Sequence, residues 1–315
     1  MKTPNPNEPC WCGSDTRYKN CHMRIDSFPR EKRLFGAREA YAEKWEKSAA
    51  SLEQQGGYDW MAGLLDRFEP RSILDIGCGT GNGIAALSKR FPKARIISVD
   101  ENPEVIRKAK HRLEALGIRV NIIRRLKDKA TSDRSHTLIV ERGRLRVTPG
   151  VNLIECDVLE DPEIDPFLKS QRKFDVVTVW LIGSHLLRYH ECDALRGTIN
   201  SPNEYRLHVQ SVAFVLAALF LRFGGALQIV DRGANPDTAE AEEGLLAMPR
   251  MLASETRGMM EIKELKHRSY IEADPDSAVR MIDNSGNTVV PGNLALISMI
   301  AVKQTKLTRG PSDAV

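Results

Sequence analysis

Leu74-Asp75-Ile76-Gly77-Cys78-Gly79-Thr80-Gly81-Asn82-Gly83 joins two segments of different periodicity. Ser72 to Ile76 is a short apolar run of strand length, and Ile84 to Phe91 has helical spacing. Glycines between a strand and a helix let the backbone approach a ligand closely, and some can take positive φ. The spacing excludes one common reading. A G-x-G-x-x-G pattern begun at Gly77 and Gly79 needs glycine at position 82, where Asn82 stands. The pattern present is acid-x-G-x-G-x-G, running from Asp75 through Gly77, Gly79 and Gly81.

Outward from this turn, strand and helix signals alternate. Arg95 to Asp100 reads as a second strand, and Pro103 to Leu116 as a helix closed by Gly117. Val151 to Cys156 and Phe174 to Leu181 read as further strands. Ser201-Pro202-Asn203-Glu204 supplies an N-cap, a proline at the first helical position and a capping-box acid. The helix it opens runs to Arg222 and stops at Gly224-Gly225; Ala226 to Val230 and Asn293 to Lys303 are late strands. Upstream, Arg30 to Gln55 and Tyr58 to Phe68 have helical composition, broken at Gly56-Gly57. Strands alternating with helices predict an α/β fold with a doubly wound, mostly parallel sheet.

The ordered features between Ser72 and Asp231 resemble class I S-adenosylmethionine-dependent methyltransferases. The glycine turn resembles the family's first motif. Asp100, in Val99-Asp100-Glu101-Asn102-Pro103, ends the second strand about 20 residues on, where a carboxylate accepts hydrogen bonds from a ribose diol. Asp157, with Val158, ends the third core strand, where the family places an acid near the adenine amino group. Leu219 to Leu227 resembles the family's helix, Gly-Gly turn and fifth strand. The resemblance implies S-adenosylmethionine as cofactor, surrounded by Asp75, Gly77, Cys78, Gly79, Gly81, Asp100, Glu101, Asp157, Val158 and Trp180. Asp75 either touches the ligand or orients the glycine turn, and Cys78 is there for packing rather than chemistry.

The acceptor of such a transfer meets the cofactor beyond the fourth strand, in Val179-Trp180-Leu181-Ile182-Gly183-Ser184-His185. The tetrapeptide of amino-methylating DNA enzymes is absent, and the stretch is similar to the small-molecule branch. His185 is the candidate general base; its other reading is a loop histidine with no catalytic task. Trp180 is either a wall of the site or a core residue. Tyr41, Trp45 and Tyr58 precede the glycine turn on amphipathic helices, as a lid over the cofactor or as core.

Residues 119–150 interrupt the alternation. His136 to Glu141 and Arg144 to Thr148 read as a hairpin turning at Arg142-Gly143. Nine Lys and Arg against three Asp and Glu give this stretch a charge of about +6, more than the whole chain's +4. Such a stretch can track the phosphate backbone of RNA or DNA, though it lacks interleaved aromatics for base stacking. It can also be a solvated face, or shape a pocket for an acidic small molecule.

At the N-terminus, Cys10-Trp11-Cys12 is followed after eight residues by Cys21-His22. Three thiolates and an imidazole complete a tetrahedral zinc shell with no open position, so the metal's role is structural. The spacing, with Pro9, Gly13-Ser14 and Tyr18-Lys19, resembles the SEC-C module. Trp11 and Asp15-Thr16 depart from its usual residues without touching a ligand. The resemblance implies zinc on Cys10, Cys12, Cys21 and His22, and a docking role towards protein or ribosome. Residues 1–26 carry little apolar periodicity and need such a staple.

Composition adds limits. Of 315 residues, 42% are hydrophobic and 28% charged, ordinary for a globular protein. The start, Met1 to Pro6, is polar and unlike a signal peptide, and the longest apolar run, Val212 to Leu221, is too short to span a bilayer. Cys78, Cys156 and Cys192 are scattered, unlike a secreted disulfide framework, so the expected location is cytoplasmic with no membrane partner. The expectation for the chain is a zinc module at 1–26, a helical extension at 27–70, and a Rossmann-like methyltransferase domain at 71–306 carrying the basic insertion at about 119–150. The expected reaction is methyl transfer to oxygen or nitrogen of a small-molecule or peptide acceptor. The alternatives are an RNA or DNA methyltransferase using the insertion, and a non-catalytic cofactor-binding adaptor recruited through the zinc module.

Overall fold

In the order of the chain, three α-helices among the described residues precede the first strand: α1 (Met23–Asp26), α2 (Arg33–Gln54) and α3 (Gly57–Gly63). The computed structural model describes residues 5–304, except for 11–16, 21, 30–31, 133–134, 142–144, 186, 191, 193–194, 196, 200 and 272–292. The alternating part then runs β1 (Ser72–Ile76), α4 (Asn82–Arg90), β2 (Arg95–Asp100), α5 (Pro103–Ala115) and β3 (Val120–Ile123). A two-stranded unit follows, β4 (Leu126–Ser132) and β5 (Ser135–Val140). The remaining elements are β6 (Val151–Glu155), α6 (Ile164–Ser170), β7 (Phe174–Trp180), α7 (Leu187–His190), α8 (Pro202–Phe220), β8 (Leu221–Ala234), α9 (Ala239–Glu255), β9 (Met260–Ser269) and β10 (Leu294–Lys303).

The main sheet has the order β3-β6-β2-β1-β7-β8-β10-β9. The pairs from β3 to β8 are parallel, and β10 is antiparallel to both β8 and β9. Parallel strands need crossovers, and covering both faces explains why β1, β2, β6 and β7 are buried almost throughout. Adjacent residues point to opposite faces. Ile73, Ile96 and Val176 join a core under α2, α3, α4 and α5, while Leu74, Ile97 and Val177 join one under α6, α8 and α9. The chain builds outward from β1 in one direction and then returns on its other side. That reversal leaves a crevice beyond the carboxyl ends of β1, β2 and β7.

Local signals fix the helix ends. The Ser201 hydroxyl accepts the Glu204 backbone N–H at 3.1 Å, with Pro202 opening α8. Asn102 caps α5 by accepting the Glu104 N–H at 3.0 Å. Gly117 has φ 73° just past α5, as its closing role requires. Among the described residues no helix is long and apolar enough to cross a membrane.

Three expectations are corrected. The hairpin lies one strand earlier: β4 pairs antiparallel with β5, and residues 145–149 form no strand. The reason lies in where the backbone bonds go. Asn152 Oδ1 accepts the Thr148 N–H at 2.8 Å and Asn121 Nδ2 donates to the Arg146 carbonyl at 3.0 Å, so this stretch delivers the chain into β6. The expected turn at Arg142-Gly143 lies outside the described residues. Second, the insertion contributes an edge strand, β3, to the main sheet beside β6. Third, α8 ends at Phe220, and Leu221 already pairs with Phe174; a bulge absorbs the residues before Ala226.

Candidate functional site

The glycine turn caps the carboxyl end of β1 and feeds α4. Gly77, Gly79 and Gly81 all have positive φ, at 90°, 48° and 85°. Two of these positions are also close approaches. A Cβ on Gly79 would stand 2.5 Å from Trp45 Nε1, and one on Gly81 would stand 3.0 Å from Ala109 Cα. Glycine is required there for space as well as for backbone conformation.

Beneath the turn, Asp75 braces three strands. Register places Ser98 of β2 and Thr178 of β7 on either side of it, and their hydroxyls donate to its two oxygens at 2.6 and 2.7 Å. Burial pushes its pKa up to about 6 against those two hydrogen bonds. Both oxygens are engaged and the residue does not line the cavity, so its contact is with the sheet that carries the turn. Cys78 is also buried, donates to the Gly79 carbonyl at 3.2 Å, and has its thiol pKa raised by burial.

The cavity opens at the expected crevice. Gly77, Gly79, Asp100 and Glu101 line one side, and Asp157, Val158 and Trp180 another. Gly81 and His185 do not line it. Asp100 Oδ1 accepts the Asn102 N–H at 2.9 Å and Oδ2 accepts the Gly79 N–H at 3.3 Å, tying the acid to the turn. Burial first, and the neighbouring Glu101 second, push the Asp100 pKa up to about 7. Trp180 donates from Nε1 to Gln228 Oε1 at 3.0 Å, which fixes its indole over Gly83.

α2 is the lid of this cavity. Tyr41 and Trp45, stacked with ring centres 6.2 Å apart, both line it, while Tyr58 lies in the core. A Cβ on Gly183 would meet the Tyr41 hydroxyl at 2.7 Å, so the lid touches the chain on both sides of the opening.

Four contributing residues escaped the sequence reading: Arg38, Arg188, Tyr205 and His136. Arg38 Nη2 lies 3.4 Å from Glu101 Oε2, and His185 Nε2 lies 3.5 Å from Glu101 Oε1. Burial opposes ionisation of Glu101, but His185, Arg38 and Arg188 outweigh it and hold the carboxyl below its ordinary range. Burial lowers the His185 pKa despite Glu101. Arg188 forms a fully buried pair with Asp157 and lies 5.7 Å from the Tyr205 ring centre. Burial also raises the Asp157 pKa, against the pull of Arg188. The signal available for Arg38 and Arg188 was weak: each is an arginine among small or apolar neighbours, as in Gly36-Ala37-Arg38 and Leu187-Arg188-Tyr189.

The basic insertion is partly spent on the protein itself. Arg125 is 3% exposed and paired with Asp161, Lys127 pairs with Glu141, and Arg124 lies 3.9 Å from Glu155. At the N-terminus, Cys10 Sγ and His22 Nδ1 stand 3.2 Å apart, both buried. Cys12 and Cys21 lie outside the described residues, and among the described residues no group of three or more donors gathers to hold a metal.

Residues 73–146 match the sequence family described as Methyltransferase domain. That stretch of the chain is similar to methyltransferase domains. Residues 7–24 match the SEC-C motif. The relatives of the methyltransferase domain include trans-aconitate 2-methyltransferase from Afipia carboxidovorans, 42% identical over 59 residues, and its counterpart from Rhodopseudomonas palustris, 44% identical over 45 residues. These alignments cover 18% and 14% of this chain and 23% and 18% of the relatives, so the chain matches less than a quarter of their length. An O-methyltransferase family protein from Burkholderia thailandensis is 17% identical, with TM-score 0.43 over 88% of this chain and 64% of that one.

Proposed function

We propose that the protein transfers the methyl group of S-adenosylmethionine to an oxygen or nitrogen of a small-molecule or peptide acceptor. One observation supports this above the others. A positive-φ glycine turn and the Asp100 carboxylate are hydrogen-bonded to each other and face one cavity where the strand order reverses. The residues fit the cofactor. The backbone of the turn at Gly77 and Gly79 suits its carboxylate, Asp100 suits the ribose diol, and Asp157 with Val158 suits the adenine. When bound, the cofactor supplies an electrophilic methyl for in-line displacement. The chain's own part is to position the acceptor and exclude water under Tyr41 and Trp45. His185 is the proposed proton acceptor. Burial keeps it neutral, and Glu101 orients its ring.

The relatives' substrate does not follow from so short a match, and the acceptor's identity is open to the chemistry of the site. Zinc is proposed on Cys10, Cys12, Cys21 and His22. The described half of that set, a thiol and an imidazole brought together in a buried turn, has the chemistry the metal requires. In this reading the module docks the enzyme to protein or ribosome in the cytoplasm. A nucleic-acid acceptor draws less support, since Arg125 and Lys127 already hold acids of the chain.

The test is calorimetric titration of S-adenosylmethionine into wild type and Asp100→Ala. Saturable heat with wild type and a loss of at least tenfold in affinity with Asp100→Ala is the expected result. No heat with wild type ends the reading. Tight binding without S-adenosylhomocysteine production on any acceptor points instead to an adaptor.

A further inference from the structure

Behind the cavity wall formed by Glu101, Asp157 and Tyr205 lies a knot of buried polar atoms that the cofactor does not explain. Arg188 is fully buried, yet only its Nη2 is engaged, on Asp157; Nε and Nη1 have no hydrogen-bond partner among the described residues. One turn earlier, His185 accepts the Arg188 N–H on its carbonyl at 3.0 Å. Its ring nitrogens are both buried without a hydrogen bond, the nearer standing 3.5 Å from Glu101. The third member comes from the insertion. His136 of β5 is 6% exposed, its Nε2 is likewise unpartnered, and its backbone bridges to Cys192. The hairpin therefore reaches across to the segment after β7 and closes the knot from the other side.

Buried polar atoms are almost always hydrogen-bonded, so several orphans at one place imply a partner. The chemistry of the orphans states its class. Arg188 offers donors only and neutral His136 offers one N–H, while His185 turns its single N–H towards Glu101 and keeps a lone pair on its other nitrogen. The charges already present balance, with Arg38 and Arg188 facing Glu101 and Asp157. Burial, and then the neighbouring His185, Arg38 and Arg188, lower the His136 pKa to about 3 against Glu101, and burial lowers that of His185. The complement to this set is a group rich in acceptor oxygens.

We propose that His136 and Arg188, beside His185, form an oxyanion subsite for the methyl acceptor, completed by the inserted hairpin. The inference rests on the methyl-transfer reading. S-adenosylmethionine has one oxyanion, its amino-acid carboxylate, and the backbone of the turn at Gly77 and Gly79 suits that group. A second set of oxyanion donors belongs to the other substrate, which carries a carboxylate or a phosphate. His136 in this scheme sets specificity rather than bond-making, and the insertion is a substrate-selecting element.

The experiment saturates the full chain with S-adenosylhomocysteine, monitored calorimetrically. Acetate, inorganic phosphate or neutral acetamide is then titrated while the histidine ring signals are followed by NMR. Wild type should show saturable shifts of two histidines with acetate or phosphate and none with acetamide; the stronger of the two anions names the acceptor's group. His136→Ala and Arg188→Lys should each weaken anion binding about tenfold or more, while Ile139→Ala, on the exposed side of the same strand, leaves it unchanged. Should Arg188→Lys fail to fold, His136→Ala decides alone. Anion binding that is absent, equalled by acetamide, or untouched in His136→Ala overturns the subsite while leaving cofactor binding intact. Failure of S-adenosylhomocysteine to bind overturns the methyltransferase reading beneath it.

Discussion

If Asp100 holds the ribose diol as proposed, this one carboxylate couples ligand binding to pH. Its folded pKa stands near 7 because it is buried next to Glu101, against an ordinary value of 3.8. A ribose diol needs the ionised form as acceptor. Cofactor affinity should therefore be full above about pH 8 and fall about tenfold per unit as pH drops below 7. For the free protein the sign is opposite. The raised pKa stabilises the fold below pH 3.8, and that contribution disappears as pH rises through 7. Asp100→Asn should bind weakly with a flat pH profile between 6 and 8, while its free form is at least as stable as wild type at pH 8; calorimetry and thermal melts across that range check both. A pH-independent wild type would remove Asp100 from the ribose site. Asp100 was legible because local spacing from the glycine turn places it. Arg38, Arg188 and His136 were not, because each finds its partners far away in sequence: Arg38 meets Glu101 across 63 positions, and Arg188 meets Asp157 across 31. Spacing rules reach one supersecondary unit and no further.

At the scale of elements, α2 borders the cavity. Tyr41 and Trp45 both line it, so a cofactor entering there meets α2 directly. Trp45 should report that contact. Its fluorescence should change on S-adenosylhomocysteine binding, and Trp45→Phe should abolish that component without abolishing binding. Gly79→Ala tests the same contact from below. Its Cβ would lie 2.5 Å from Trp45 Nε1 at φ 48°, so it should weaken cofactor binding, and adding Trp45→Ala should restore part of the loss. No recovery would place the whole cost on backbone strain. Elsewhere the element ends were readable: Ser201→Ala should destabilise the fold by about 1 kcal/mol through loss of the α8 cap, measured by denaturant unfolding. The hairpin was misread because alternation alone cannot choose between β4 and residues 144–148 as the partner of β5. The choice is made by Asn121 and Asn152, which hold the later stretch on the main sheet.

For the whole molecule, the N-terminal module and the candidate site share a joint. Ile25 of α1, Ala37 of α2 and Leu187 of α7 form one buried cluster. Ala37 precedes Arg38, which holds Glu101, and Leu187 precedes Arg188, which holds Asp157. A module with almost no core of its own thus packs against the two segments that carry the site's buried ion pairs. If zinc on Cys10, Cys12, Cys21 and His22 orders that module, its removal should be felt beyond the N-terminus. Cys10→Ser should lose about one equivalent of metal. It should also weaken S-adenosylhomocysteine binding several-fold by loosening α2 and α7, without unfolding the sheet, whose two cores are built from residues other than Ile25, Ala37 and Leu187. Ile25→Ala separates the two effects, since it keeps every zinc donor and removes only the packing. Metal content should stay at wild-type level while cofactor affinity falls as in Cys10→Ser. Metal analysis, calorimetry and far-ultraviolet circular dichroism on the same samples decide the matter. Cofactor affinity unchanged in both variants would make the module an independent appendage. A loss in Cys10→Ser alone would show that the metal acts through some contact other than the Ile25–Ala37–Leu187 cluster.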